Sequence, residues 1–122
     1  MRLRARALAI LLVASSLAGA ASGATRPVAE QAKIDLLLEA VRGSDAVFIR
    51  NGKEHSGPKA ASHLRRKLAF AGGRVQTARD FITGIATRSE ETGEPYRLRL
   101  PEGRVRPLAE WLTERLAEIE KR

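Results

Sequence analysis

His63 and Lys67 stand one helical turn apart, beside the apolar stripe to which Leu64 and Leu68 belong. An imidazole at the edge of an apolar face titrates near neutral pH and can serve as acid, base or anion ligand. Together with Tyr96, the one tyrosine of the chain, these residues would make the site of a small enzyme or sensor if one cleft held all three. The plainer alternative is that His63 and Lys67 hydrogen-bond a loop and pin their helix, because structural polar networks perturb titratable groups much as sites do. A second constellation is basic. Arg65, Arg66 and Lys67 run together, and Arg50, Arg74, Arg97 and Arg99 are candidates to join them in a face for an anionic ligand. Its competitor is an ordinary solvated face in an arginine-rich chain, with 17 Arg against 5 Lys.

Other chemistries are poorly served. The chain has no cysteine, which excludes thiolate nucleophiles, thiolate metal sites and disulfides. His55 and His63 are the whole histidine complement and fall on different expected elements, whereas zinc takes three or four ligands; no metal and no cofactor is expected. Ser62 adjoins His63, but neighbours at i and i+1 on a helix do not face each other. There is no Gly-x-Ser-x-Gly elbow and no phosphate-cradling glycine loop. Glu90, Glu91 and Glu94 share a polar loop with nothing to raise an acid's pKa. Phe48, Phe70, Phe81, Tyr96 and Trp111 are the only aromatics and most sit on apolar stripes, which argues against single-stranded nucleic-acid binding.

The elements that must position these residues follow from the patterning. At 122 residues and 43% hydrophobic, the chain fits one folded domain. Arg2, Arg4 and Arg6, the apolar run Ala7 to Ala14 and the small residues Ser22-Gly23-Ala24 follow the order of a cleaved export signal. The run is too short for a comfortable membrane span, which needs about 20 residues, and no later segment approaches one. Residues 1–24 are therefore expected to be a signal peptide and residues 25–122 the mature domain, periplasmic or secreted. Losing three arginines and no acid lowers the net charge from +8 to +5.

In the mature part, Pro27 suits a helix start, Ile34, Leu37, Leu38 and Val41 make one helical face, and Gly43 a stop. Ala46 to Arg50 reads as a strand, Asn51-Gly52 as a hairpin turn, and Lys53 to Ser56 as a return strand without aliphatic residues, hence a short exposed arm. Pro58 opens a second helix with Ala61, Leu64, Leu68 and Ala71 on one face, ended by Gly72-Gly73. Thr77 and Asp80 form a capping box for a third helix carrying Ala78, Phe81, Ile82, Ile85 and Ala86, with Gly84 inside it for close packing against a neighbour. Tyr96, Leu98 and Leu100 alternate with arginines as a half-buried strand, Pro101-Glu102-Gly103 turns, and Arg104 to Arg106 returns. Pro107 opens a last helix with Leu108, Trp111, Leu112, Leu116 and Ile119 inward and a Glu118–Arg122 pair outward. The fold class is α+β, a small helix-dominated single domain in the order helix–hairpin–helix–helix–hairpin–helix. Whether the hairpins share a sheet is open.

Phe48-Ile49-Arg50-Asn51-Gly52, Ala60, His63-Leu64, Lys67, Thr77-Ala78, Phe81-Ile82, Ser89, Thr92-Gly93, Pro95-Tyr96 and Trp111-Leu112 carry a resemblance in their order and spacing. Over nearly all of residues 33 to 119 the chain resembles the YfeK-like family of small exported bacterial proteins, a domain of unknown function. The resemblance implies export and a compact domain, and no known activity. Aromatic residues that the family pattern carries near His55 and near Leu68 are missing, so no aromatic surface is expected there. The leading expectation is a non-enzymatic envelope protein, a binding or interaction module with a basic surface. Arg50, Arg65, Arg66 and Lys67 would converge on one face for an anionic envelope component. The alternatives are a small enzyme or sensor around His63, Lys67 and Tyr96, and a structural partner that docks on an envelope protein through exposed apolar surface.

Overall fold

A computed structural model describes residues 25–122; the expected signal peptide, residues 1–24, lies outside the described residues. The chain runs α1 (Val28–Arg42), β1 (Val47–Arg50), β2 (Lys53–His55), α2 (Gly57–Ala71), α3 (Ala78–Gly84), β3 (Arg97–Arg99), β4 (Val105–Pro107) and α4 (Leu108–Glu120). A 3₁₀ turn at Gly72–Arg74 links α2 to the segment before α3. This is a mixed α+β domain in the expected element order.

The two hairpins join into one antiparallel sheet of order β2-β1-β3-β4, with β1 paired to β3 through Phe48 opposite Leu98. The first hairpin is therefore not an exposed arm. Strand β1 is internal, Phe48 is buried at 4% exposure, and of the hairpin's two strands β2 alone lies at a sheet edge. Asn51 and Gly52 both take positive φ, 51° and 78°, as a two-residue type I′ turn requires. That turn fixes the register Phe48 opposite His55 and Arg50 opposite Lys53. Residues directly opposite share a face, so His55, Phe48, Leu98 and Arg106 all point to one side of the sheet. Helices α2 and α4 lie against that side, α1 packs across α2 and α4, and α3 sits beside α1 and α4.

Burial follows the expected stripes: Ile34, Leu37, Leu38 and Val41 of α1, Ala61, Leu64 and Leu68 of α2, and Leu108, Trp111, Leu112 and Leu116 of α4. The Thr77–Asp80 capping box is present, with Asp80 donating its N–H to Thr77 Oγ1 at 2.9 Å and its carboxylate accepting from the Thr77 N–H at 3.2 Å. Two local expectations fail. Gly84 is the last residue of α3 and exposed, with open space where a Cβ would stand. The close approach belongs to Gly57, where a Cβ would meet the Val41 carbonyl at 2.5 Å as α2 starts against the end of α1. Glu118 pairs with Arg115 at 3.3 Å rather than with Arg122, because α4 ends at Glu120 and leaves Arg122 outside the helix.

Candidate functional site

The rim between α2 and the β1–β2 end of the sheet is a cleft of about 410 Å³. Its floor is apolar, with Phe48, Leu64 and Leu108. The inward face of the sheet supplies His55 and Tyr96, and Arg50 follows Phe48 on that face by the two-residue period of a strand. The helix supplies Lys59, His63 and Arg66, spaced i, i+4 and i+7 on one edge of α2.

His63, Lys67 and Tyr96 come together. Tyr96 is held by backbone hydrogen bonds on both sides: its N–H donates to the Thr87 carbonyl and its carbonyl accepts from Leu108 N–H, both at 2.9 Å. Lys67 Nζ donates to the Tyr96 hydroxyl at 3.0 Å, to the Ile85 carbonyl at 2.9 Å and to the Arg88 carbonyl at 3.2 Å. Its three ammonium protons are thereby committed, so Lys67 pins α2 to the segment that follows α3. With its oxygen accepting from Lys67, the tyrosine hydroxyl has its own proton left for His63 Nε2, 3.4 Å away. Burial pushes the His63 imidazole below the usual 6.5, and the positive charges of Arg50, Lys67 and Arg66 push it further, as does His55. A neutral His63 that accepts from Tyr96 fits both observations.

The basic cluster divides. Arg50 and Arg66 line the cleft, joined by Lys59; Arg97, directly across from Ile49, projects to the other side of the sheet. Arg65 does not converge with them. It faces the other way, because adjacent helical residues point about 100° apart, towards Glu39 of α1, whose carboxylate is held below its ordinary range first by its hydrogen bond with Arg42 and also by the charge of Arg65. Arg99 pairs with Glu54 at 3.0 Å on the outward side of the sheet. Three permanent cations and two imidazoles thus line the cleft without one carboxylate. None of the three cations is ion-paired with a described residue. The far end of the same sheet face is the opposite case: Arg106 reaches Glu114 at 2.6 and 3.0 Å and Glu110 at 3.4 Å.

His55 is the member that sequence reasoning passed over. Its Nε2 is buried and has no hydrogen-bond partner among the described residues, a state that buried polar atoms rarely keep. The signal that could have found it is the Asn51-Gly52 turn, whose register puts His55 directly across from Phe48. Among the described residues no group of three or more His, Cys, Asp or Glu is placed to hold a metal ion. The polar segment after α3 is structural: Asn51 Nδ2 donates to buried Ser89 Oγ at 3.1 Å and Thr92 Oγ1 donates to Asn51 Oδ1 at 2.6 Å, which ties the first hairpin's turn to it. One expectation about aromatic surface is overturned, since Phe70, two residues from Leu68, is 87% exposed.

The chain is similar to the protein named "Uncharacterized protein YfeK" of Salmonella typhimurium, at 43% identity over 68 residues that cover 55% of this chain and 57% of that protein. The matched stretch thus spans little more than half of the curated relative's length. No solved structure matches. A family model described as "Family of unknown function (DUF5329)" matches residues 28–120, and the chain belongs to that family.

Proposed function

We propose that the protein is an exported binding module for a small amphiphilic anion, a carboxylate or phosphate group on an apolar body, held in the cleft between α2 and the β1–β2 hairpin. The observation that carries this reading is the cleft's charge: Arg50, Lys59 and Arg66 line it with no acid among the lining residues. Unpaired cations gathered around one cleft concentrate a positive potential there, and a bound anion would meet it with charge-assisted hydrogen bonds. The apolar floor of Phe48, Leu64 and Leu108 favours a ligand with a hydrocarbon part, and His55 Nε2 offers it a buried hydrogen bond. Export rests on the pattern of residues 1–24, and protein isolated from its host should begin at Thr25; a chain that begins at Met1 among cytosolic proteins would remove the compartment from the proposal.

The test is an NMR titration with inorganic phosphate, acetate and hexanoate. All three should shift the His55 and His63 ring signals, and hexanoate should bind more tightly than acetate, since each buried methylene contributes about 0.8 kcal/mol. Affinity should fall with added salt and in Arg50→Ala and Arg66→Ala, and stay unchanged in Arg65→Ala. Equal losses in all three variants would reduce the effect to net charge and overturn the reading.

A second reading, proton transfer by His63, is favoured by the 3.4 Å approach of its Nε2 to the Tyr96 hydroxyl. It requires turnover of a model ester such as p-nitrophenyl acetate above the buffer rate, lost in His63→Gln. Hydrolysis at the buffer rate would dispose of it for esters.

A further inference from the structure

Phe70 is 87% exposed, and it is not an isolated surface residue. Arg66 stands one turn before it on α2, and Arg74 one turn after it in the 3₁₀ turn. Arg74 is held there, its Nε donating to the Ala71 carbonyl at 3.2 Å and its Nη2 to the Phe70 carbonyl at 3.5 Å. The guanidinium thus folds back onto the last carbonyls of α2. The recess around Phe70 takes in Arg50, Arg66, Lys67 and Arg74 against only two carboxylates, Asp80 and Glu90. Asp80 is engaged, accepting from the Gln76 and Thr77 backbone N–H groups, and Glu90 is exposed, 3.8 Å from a Lys67 Nζ whose protons are committed elsewhere. A ring projecting between arginines is the pattern of an interfacial contact, in which the aromatic enters the acyl boundary and the guanidinium groups meet phosphates. A protein partner would need a wider apolar patch than one phenyl ring, and charge complementarity selects an anionic bilayer over a zwitterionic one.

We infer that this corner of the molecule, the end of α2 with Arg66, Phe70 and Arg74, docks on an anionic phospholipid surface, with Phe70 inserted and the arginines at headgroup level. The surface adjoins the cleft, because Arg50, His63 and Arg66 border both recesses. Docking so would bring the cleft's mouth close to the lipid headgroups. The inference goes beyond the cleft reading and does not need the cleft to be filled.

The test is co-sedimentation of the protein with vesicles of phosphatidylcholine alone and of phosphatidylcholine mixed with phosphatidylglycerol, every variant carrying the same N-terminus. Binding is expected only to the mixed vesicles, weakened about tenfold or more by Phe70→Ser, since burial of a phenyl side chain is worth at least that factor. Arg74→Ala should weaken it about fivefold, and Arg65→Ala should leave it unchanged. Phe70→Trp should give a blue-shifted emission component with mixed vesicles that the wild-type protein, with Trp111 at 9% exposure, lacks. Equal binding to both vesicle types, binding indifferent to Phe70→Ser, or Phe70-dependent binding to a protein but not to vesicles would each overturn the inference. Phosphate-induced shifts of His55 and His63 report the cleft separately: their survival in Phe70→Ser, with vesicle binding lost, supports docking, and their presence in a protein that ignores both vesicles overturns docking alone.

Discussion

At the scale of single residues, the chain commits some polar groups completely and leaves others open, and that contrast separates scaffold from site. Lys67 has an acceptor for each of its protons; Arg50, Lys59 and Arg66 pair with no carboxylate among the described residues. His63 lies between the two groups, and its titration has a consequence for stability. Its imidazole is held below 6.5 in the folded protein by burial and by neighbouring cations. Between that depressed value and 6.5 the unfolded chain binds more protons at this residue than the folded one, so stability rises with pH through that window. Above 6.5 the contribution is complete, and it is lost as pH falls towards the folded value. Urea denaturation of wild type and His63→Gln from pH 5 to 7.5 isolates the effect: the wild type should gain stability relative to the variant as pH rises to about 6.5 and run parallel to it above. Parallel curves throughout would show that His63 is not held neutral. Loading the cleft with phosphate should shrink the difference, because an adjacent anion favours the protonated ring.

At the scale of elements, most of the secondary structure was legible because local signals and the hydrophobic period agree. Asn51-Gly52, the Thr77–Asp80 box, and prolines 27, 58 and 107 mark boundaries that the structure keeps within a residue or so. What failed was lateral information. The β2 segment Lys53–His55 has no aliphatic residue, and that polarity was extended to the whole hairpin, although β1 lies inside the sheet against β3. Sequence spacing likewise joined Arg65 to Arg66, which a helix separates to different sides. The trio His63, Lys67 and Tyr96 was legible because two members share a helix edge. His55 and Lys59 were not, since they meet only once sheet order and helix placement are known. The two glycines make the same point as an experiment. Gly57→Ala puts a methyl group against the Val41 and Arg42 carbonyls, at 2.5 and 2.8 Å, and should cost about 1–3 kcal/mol because the backbone of either helix must shift. Gly84→Ala meets nothing within 4 Å and should be neutral or stabilising by up to about 1 kcal/mol. Thermal melts of the two variants with the reverse ranking would contradict the α1–α2 contact.

At the scale of the molecule, one side of the sheet carries both the core and the cleft, and Trp111 links them. Its ring meets Phe48 edge-on, with centroids 6.4 Å apart and planes at 77°, while the Arg115 guanidinium lies 5.3 Å from the ring centroid on its outer side. Phe48 is in turn part of the cleft's floor and the residue opposite His55. Trp111→Ala should therefore cost about 3–5 kcal/mol, as large aromatic truncations in cores do. That is a large share of the 5–15 kcal/mol typical of a small domain, in a chain without disulfides to limit its unfolded state. Trp111→Phe keeps an aromatic edge for Phe48 and should lose less than half as much. The coupling makes a second demand on the same variants. If Phe48 is held from behind by the ring at position 111, Trp111→Ala should also weaken hexanoate binding relative to phosphate, measured where the variant is still folded, because the hydrocarbon part rests on Phe48 and the charged part does not. A variant that loses stability but keeps the wild-type preference for hexanoate would uncouple core from cleft and place the ligand's apolar body elsewhere.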